Sequence, residues 1–352
     1  MQALYSLGTI ASSYGSPVPV QAVVRNTGSA ALTNVPVTLA VSGATTFTDT
    51  KSIANLAVGS SATVTFTAYP VTATSGTNQL TVTVPADGLA SNNSRTVTQV
   101  VSASTLSYNV GNSFVDGAGV RAANTTIAVR HETSKPATIR SVTTNFYGAS
   151  SSGASYQLLL FAADAPGGMP GTVIYATPAL PRPANGGADV VPIPEIPVEG
   201  TFFVGLSNTT ANSLAISYQL ETPLRSGTFL YRLAGAGSWT DINTTGSSTR
   251  LSVDVTLGAV LGRKDAIGAG TLSVYPNPAH RSFTLALPAI AGQRTAELTL
   301  LNTLGQQVLA RTVPLVASGT ETQVDVSSLA PGLYTLQIKT NREVATKKVL
   351  VE

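Results

Sequence analysis

The chain has 352 residues, of which 43% are hydrophobic and 11% charged, with 31 glycines, 20 prolines and no cysteine. That length exceeds one small core and suits two or three domains of about 100–150 residues; abundant Gly, Pro, Ser and Thr without long Glu/Lys/Leu stretches points to an all-β protein. The absence of cysteine excludes a disulfide framework, a thiolate nucleophile and a cysteine-held metal, and a formal net charge of +3 with no arginine or lysine stripe gives no electrostatic footprint for nucleic acid.

No run of about 18 apolar residues is present, so no membrane-spanning segment is expected. Residues 1–101 read as a first module of short alternating strands, clear from Val18 onward. Val35, Val37, Leu39 and Val41 fall on one face and Pro36, Thr38 and Ala40 on the other, and Val64/Phe66 and Leu80/Val82/Val84 repeat the two-residue period. Asn26-Thr27-Gly28 and Asp87-Gly88 are turn signals. Val23-Val24-Arg25-Asn26-Thr27-Gly28, then Leu56-Ala57-Val58-Gly59, then Ser91-Asn92-Asn93-Ser94, resembles the immunoglobulin-like CARDB family of bacterial surface modules. The resemblance implies adhesion or spacing.

Residues 102–258 are expected to form a larger β unit. Tyr156, Leu158 and Leu160 alternate with Gln157, Leu159 and Phe161 in a run that is apolar on nearly both faces, as in a central strand. Gly167-Gly168-Met169-Pro170-Gly171 is a tight-turn cluster. Prolines at 178, 181, 183, 192, 194 and 197 exclude a central strand and predict an extended edge or crossover. Thr201 to Leu206 resumes a buried strand, and Leu251/Val253/Val255 closes the unit. The layout resembles the jelly-roll-like, non-catalytic β modules that precede sorting domains in Bacteroidetes proteins.

Gly258 to Gly270 has a linker's composition, so the linker is placed at 259–270 and the last domain at 271–352. There Phe283/Leu285/Leu287, Leu298/Leu300 and Tyr334/Leu336/Ile338 should face inward, with Thr284, Thr299, Thr335 and Gln337 outward. Seven short strands imply a small immunoglobulin-like sandwich. Tyr275-Pro276-Asn277-Pro278-Ala279, Leu304-Gly305-Gln306-Gln307-Val308, Leu329-Ala330-Pro331-Gly332-Leu333-Tyr334 and Lys347-Lys348-Val349-Leu350-Val351-Glu352, in that order, resemble the C-terminal sorting domain of the type IX (Por) secretion system of Bacteroidetes. The motif-matching positions are Pro276, Asn277, Pro278, Gly305, Gly332, Tyr334, Lys347 and Lys348. They are expected to act as fold punctuation, the glycines setting turns and the basic pair staying exposed. The resemblance implies a type IX translocon and a sortase-like peptidase as partners, with delivery to the medium or to the outer face of the outer membrane. Export needs a signal peptide, and Met1-Gln2-Ala3-Leu4-Tyr5-Ser6-Leu7-Gly8 lacks the basic and apolar regions of one, so the natural chain is expected to begin further upstream.

Catalytic signals are sparse. His131 and His280 are the two histidines, no Gly-x-Ser-x-Gly elbow accompanies them, and His131 beside Glu132 reads as a polar pair at the surface near a strand end. No His/Asp/Glu cluster has metal-ligand spacing. Asp116, Asp164 and Asp189 are expected in loops, where aspartates either form turns or assist a calcium ion. Glu132, Glu195, Glu199, Glu221, Asp241 and Asp254 offer no spacing that singles out a catalytic pair, and most should be solvated. Tyr147, Tyr218, Tyr231 and Trp239 admit two readings, core packing or a stacking platform for a sugar. The sequence thus describes three tandem β-sandwiches, immunoglobulin-like, jelly-roll-like and an immunoglobulin-like sorting domain, without cofactor, metal or enzymatic activity. It reads as an exported surface protein with adhesion modules for a glycan or protein ligand, or as the spacer and sorting region of a larger exported enzyme or propeller protein.

Overall fold

A computed structural model describes residues 1–149, 153–260, 272–287, 295–316, 319–340 and 344–352. Strand accounts for 58% and helix for 3%, the latter in three short 3-10 turns among the described residues. The all-β reading holds. Two compact units divide the chain, Met1–Val260 and Leu261–Glu352. The segment assigned as linker lies, from residue 261 onward, outside the described residues.

Within the first unit two separate hydrophobic cores form. The first, between a three-stranded and a five-stranded sheet, buries Val37, Leu39, Leu80 and Val82 completely, as alternation along Leu32–Gly43 and Gly76–Thr83 requires. Asn26 closes the turn foreseen for it: its side-chain oxygen accepts from the Gly28 amide at 2.9 Å while its amide donates to the carbonyls of Ala30 and Leu56. Two short strands preceded Val18 unseen. Ala3–Tyr5 joins the smaller sheet beside Gln21–Arg25, and Thr9–Ala11 pairs in parallel with Ser94–Ser102, carrying the fully buried Ile10. Three residues are too few for a period to show.

The second core is wrapped by a 12-stranded sheet built around one long antiparallel pair, Thr126–Phe146 with Gly187–Asn208. Register shifts between Thr133 and Ala137 and between Ile139 and Ser141 bend this pair, so its two halves serve different layers. Near Thr126–Val129 the flanking strand is Phe229–Arg232, and across Thr138–Thr144 it is Val253–Gly258. The proline expectation is met locally: Pro192 and Pro197 pair only with the 126–146 strand, whereas Phe202 to Asn208 pairs on both sides, with Ser155–Ala162 on the second. One strand is therefore an edge in its first half and central in its second. Phe161, on the outward face of Ser155–Ala162, packs into a satellite cluster with Ala128, Phe203 and Leu230.

The described residues of the second unit form seven strands in two sheets, Ser273–Tyr275, Ser282–Leu287 and Thr320–Asp325 opposite Gln307–Pro314, Thr295–Leu301, Gly332–Lys339 and Val344–Val351. Phe283, Leu285, Leu298, Leu300, Leu336 and Ile338 are buried in a core of its own.

Candidate functional site

The residues singled out in the last unit lie far apart in sequence, and several are joined by the strand order. Pro276 and Pro278 have no backbone N–H, so the segment they flank cannot pair as an ordinary strand. Asn277 supplies the missing groups with its side chain: its amide donates to the Lys348 carbonyl at 3.0 Å, and its oxygen accepts from the Leu350 N–H at 2.8 Å. Ala279 continues the same line, donating to the Leu350 carbonyl at 2.8 Å and accepting from the Glu352 N–H at 2.9 Å. The outer edge of the Val344–Val351 strand, whose other side pairs with Gly332–Lys339, is thereby covered from Lys348 onward. The opening and closing motifs form one closure.

Lys347 and Lys348 are not an exposed pair. Alternation turns Lys347 to the same side as Val349, half-buried, where its ammonium donates to the Leu272 carbonyl at 2.6 Å; of the two, Lys348 alone is exposed. Gly305 does supply turn geometry, with φ of 77° at the tip of the hairpin from Asn302 to Gln306, where the Asn302 side chain accepts from the amides of Leu304 and Gln306. Gly332 does not. Its φ is ordinary, and an added Cβ would meet nothing closer than 3.9 Å. Tyr334 bridges back over four residues, its hydroxyl donating to the Ala330 carbonyl at 2.7 Å, which is the tyrosine-corner arrangement of immunoglobulin-like sandwiches.

In the first unit the densest polar chemistry lies where its two cores meet. Glu221 and Arg225 are both buried: the carboxylate accepts from the Arg225 Nε at 2.8 Å and Nη2 at 2.6 Å, and Arg250 approaches at 3.4 Å. Burial alone would raise the Glu221 carboxyl, but the Arg225 hydrogen bonds and the charges of both arginines outweigh it and hold it below its usual range. Arg225 also donates to the Ser6 carbonyl and lies over the rings of Tyr5 and Tyr108, at 5.3 and 4.9 Å. Tyr5 donates to the Pro223 carbonyl at 2.9 Å, and Ser134 donates to the Tyr14 carbonyl. These contacts fasten the N-terminal segment to the middle module. Among the acids expected to be solvated, Glu221 is thus a correction: it is an i,i+4 partner of an arginine in a tight turn.

His131 is a second correction, being 1% exposed rather than at the surface. Ile127, Val129, His131 and Thr133 share the inward face of one strand, so the two-residue period carried the signal. The imidazole lies between Tyr108 and Phe202, 5.7 Å from each ring, and among the described residues neither nitrogen has a hydrogen-bond partner. Burial pushes it down to about 3, with Arg130 adding to the effect; the Val253 carbonyl pulls the other way without reaching hydrogen-bond geometry. Glu132 faces outward and pairs with Arg130 at 2.9 Å. Neutral and buried, His131 is hydrogen-bonded to no carboxylate or hydroxyl among the described residues.

Asp116 and Asp189 lie in strands rather than loops. Asp189 accepts from the Tyr156 hydroxyl at 2.7 Å, and Asp164 closes a turn by accepting from the Thr172 amide. Asp241 caps a 3-10 turn through the Asn243 amide. Asp254 is pushed up to about 6 by burial, its one side-chain donor at hydrogen-bond distance being Asn109 at 3.1 Å. Among the described residues no group of three or more His, Cys, Asp or Glu comes together, and no helix is long and apolar enough to cross a membrane. The four aromatic candidates are dispersed. Tyr218 and Tyr231 pack partly on the main core, Trp239 stands edge-on to Phe161 in the satellite cluster with its indole N–H on the Pro170 carbonyl, and Tyr147 is exposed.

Comparison with known families matches residues 273–352 to the secretion system C-terminal sorting domain and residues 6–96 to CARDB. The chain carries these two modules in the order read from its motifs, and neither is catalytic. No curated protein matches. Among solved structures, the BSP domain of a biofilm-associated protein aligns at 10% identity over 99% of this chain and 81% of that one, with a TM-score of 0.20. A Ruminococcus gnavus β-glucuronidase aligns at 14% identity over 73% of this chain and 40% of that one, with a TM-score of 0.19. Dimeric latent PorU from Porphyromonas gingivalis aligns at 11% over 100% and 34%, also with a TM-score of 0.19. The chain spans less than half of the latter two, and at such scores the superpositions carry nothing over to it.

Proposed function

We propose that this is a non-catalytic surface protein whose last unit is the export label and whose residues 1–260 are the delivered part, two tandem sandwiches at 1–101 and 102–258 that present a binding surface. A sorting domain of this kind implies export through the type IX machinery and a secreted or cell-surface location. In the proposed route a sortase-like peptidase then removes the tail, and the delivered part is retained on the outer face of the outer membrane. The observation that supports the label reading is the closure of Asn277 and Ala279 onto the Val344–Val351 strand, because it joins the opening and closing motifs into one structural object. A second reading, in which residues 1–260 are a rigid spacer, is favoured by the bonds from Arg225, held by Glu221, to Ser6 and from Tyr5 to Pro223, which tie the first sandwich to the second.

The test is a fluorescent reporter placed between a signal peptide and residues 272–352 in a Bacteroidetes host with a working type IX system. It should reach the surface, and deletion of Lys347–Glu352 should retain it in the periplasm. Lys348→Ala alters only an exposed charge and should be exported normally, whereas Lys347→Ala also removes the bond to Leu272 and is not a charge-only control. Export of the truncated reporter at the full level would refute the label reading.

A further inference from the structure

Where the two cores of the first unit meet, a cleft of about 460 Å³ opens between Tyr5, Leu7, Tyr108, Arg130, Glu132 and Arg225. Its size falls within the range of small-molecule sites, about 300–1,000 Å³. Arg225 forms part of its wall with the guanidinium fixed in orientation: Nε and Nη2 are committed to Glu221 and Ser6, and two tyrosine rings lie beneath. Among the described residues Nη1 has no hydrogen-bond partner, which leaves its two N–H groups for an occupant. The charge balance favours an anion. Arg225 and Arg250 share the single carboxylate of Glu221, and the only acid on the wall, Glu132, is already held by Arg130. His131, also on the wall, remains neutral and adds no counter-charge. The cluster of Arg225, Arg250 and Glu221 behind the wall therefore carries one positive charge in excess, although Arg250 itself does not line the cleft, and an excess buried charge is costly. Exposed Pro17 and Pro19 and half-buried Leu7 line the rest with apolar surface.

We propose that this cleft binds a small organic anion, its carboxylate on Arg225 Nη1 and its ring or apolar body against Leu7, Pro17 and Pro19. Because Arg225 is preorganised by contacts it makes without ligand, little ordering entropy is lost on binding. The site goes beyond the export label, and binding by the purified chain is independent of whether that label works.

The full chain would be titrated calorimetrically with glucuronate, benzoate and glucose. At least one carboxylate should bind, with glucose weaker by about tenfold or more. Binding of glucuronate but not benzoate identifies an acidic sugar, and the reverse identifies a flat apolar acid. Gln21→Trp places bulk at an exposed position on the wall and should abolish binding without changing the melting temperature. Arg225→Lys keeps the charge but loses the fork and should weaken binding by about tenfold. The proposal is overturned if neither carboxylate binds, if glucose binds as tightly as the acids, or if the folded Gln21→Trp protein binds undiminished.

Discussion

His131 and Asp254 are buried ionisable groups with opposite consequences for stability. The folded state holds His131 neutral down to about 3, while the unfolded chain takes up a proton near 6.5. Between those values the unfolded state binds more protons, so the stability associated with His131 is complete above about 6.5 and is lost as the pH falls, by on the order of 5 kcal/mol across the window. His131→Phe keeps the ring and removes two partnerless nitrogens. Its melting temperature should be at least that of the parent at pH 7 and should decline less between pH 6 and 4. Asp254 runs the other way. Its folded value of about 6 lies above the unfolded one, so the folded state binds the extra proton between about 4 and 6, and the buried charge is a cost at neutral pH. Asp254→Asn should raise the melting temperature at pH 7, and the gain should vanish below about pH 4, where the parent carboxyl is protonated in both states. Thermal melts against pH read both variants. The period of Ile127, Val129 and His131 was legible in the sequence; the absence of a partner for the imidazole was not, because Tyr108 and Phe202 reach it from distant parts of the chain.

At the scale of elements, apolar alternation was the dependable signal, since a half-buried strand must show it over five or more residues. It located the inward faces of the Ser282–Leu287, Thr295–Leu301 and Gly332–Lys339 strands correctly. It failed for Ala3–Tyr5 and Thr9–Ala11, which are too short, and it could not reveal that Gly187–Asn208 changes from edge to centre along its length. Proline positions supplied that second fact in part. The tail motif was legible as residues but not as geometry, because the pairing of Asn277 with Leu350 spans 73 positions. Asn277→Ala removes two exposed hydrogen bonds and should cost about 1 kcal/mol. Amide hydrogen exchange at Leu350 should accelerate in this variant while Leu336 and Ile338, in the neighbouring strand's core, stay protected; unchanged exchange at Leu350 would show that the closure contributes nothing.

At the scale of the whole molecule, the composition fixed the class and the motifs fixed the order of modules, but nothing local announced that a buried ion pair of the middle module reaches the first through the Ser6 carbonyl. Ser6 and Arg225 are 219 positions apart. Glu221→Gln leaves Arg225 buried without a counter-charge and should destabilise residues 1–260 by about 3–5 kcal/mol. Calorimetry should show one transition for this unit in the parent and two in the variant, as the sandwiches melt separately. A single, merely lowered transition would mean that the apolar contacts at the junction suffice to couple them.

The closure in the tail also bears on how the protein is made. The strand that Asn277 and Ala279 fasten is the last of the seven to leave the ribosome, and domains generally fold as units during and after synthesis. A chain interrupted before Lys348 therefore holds the first half of the latch with nothing to engage. Under the label reading proposed above, a shortened product would lose its latch and its address together, with no separate inspection needed.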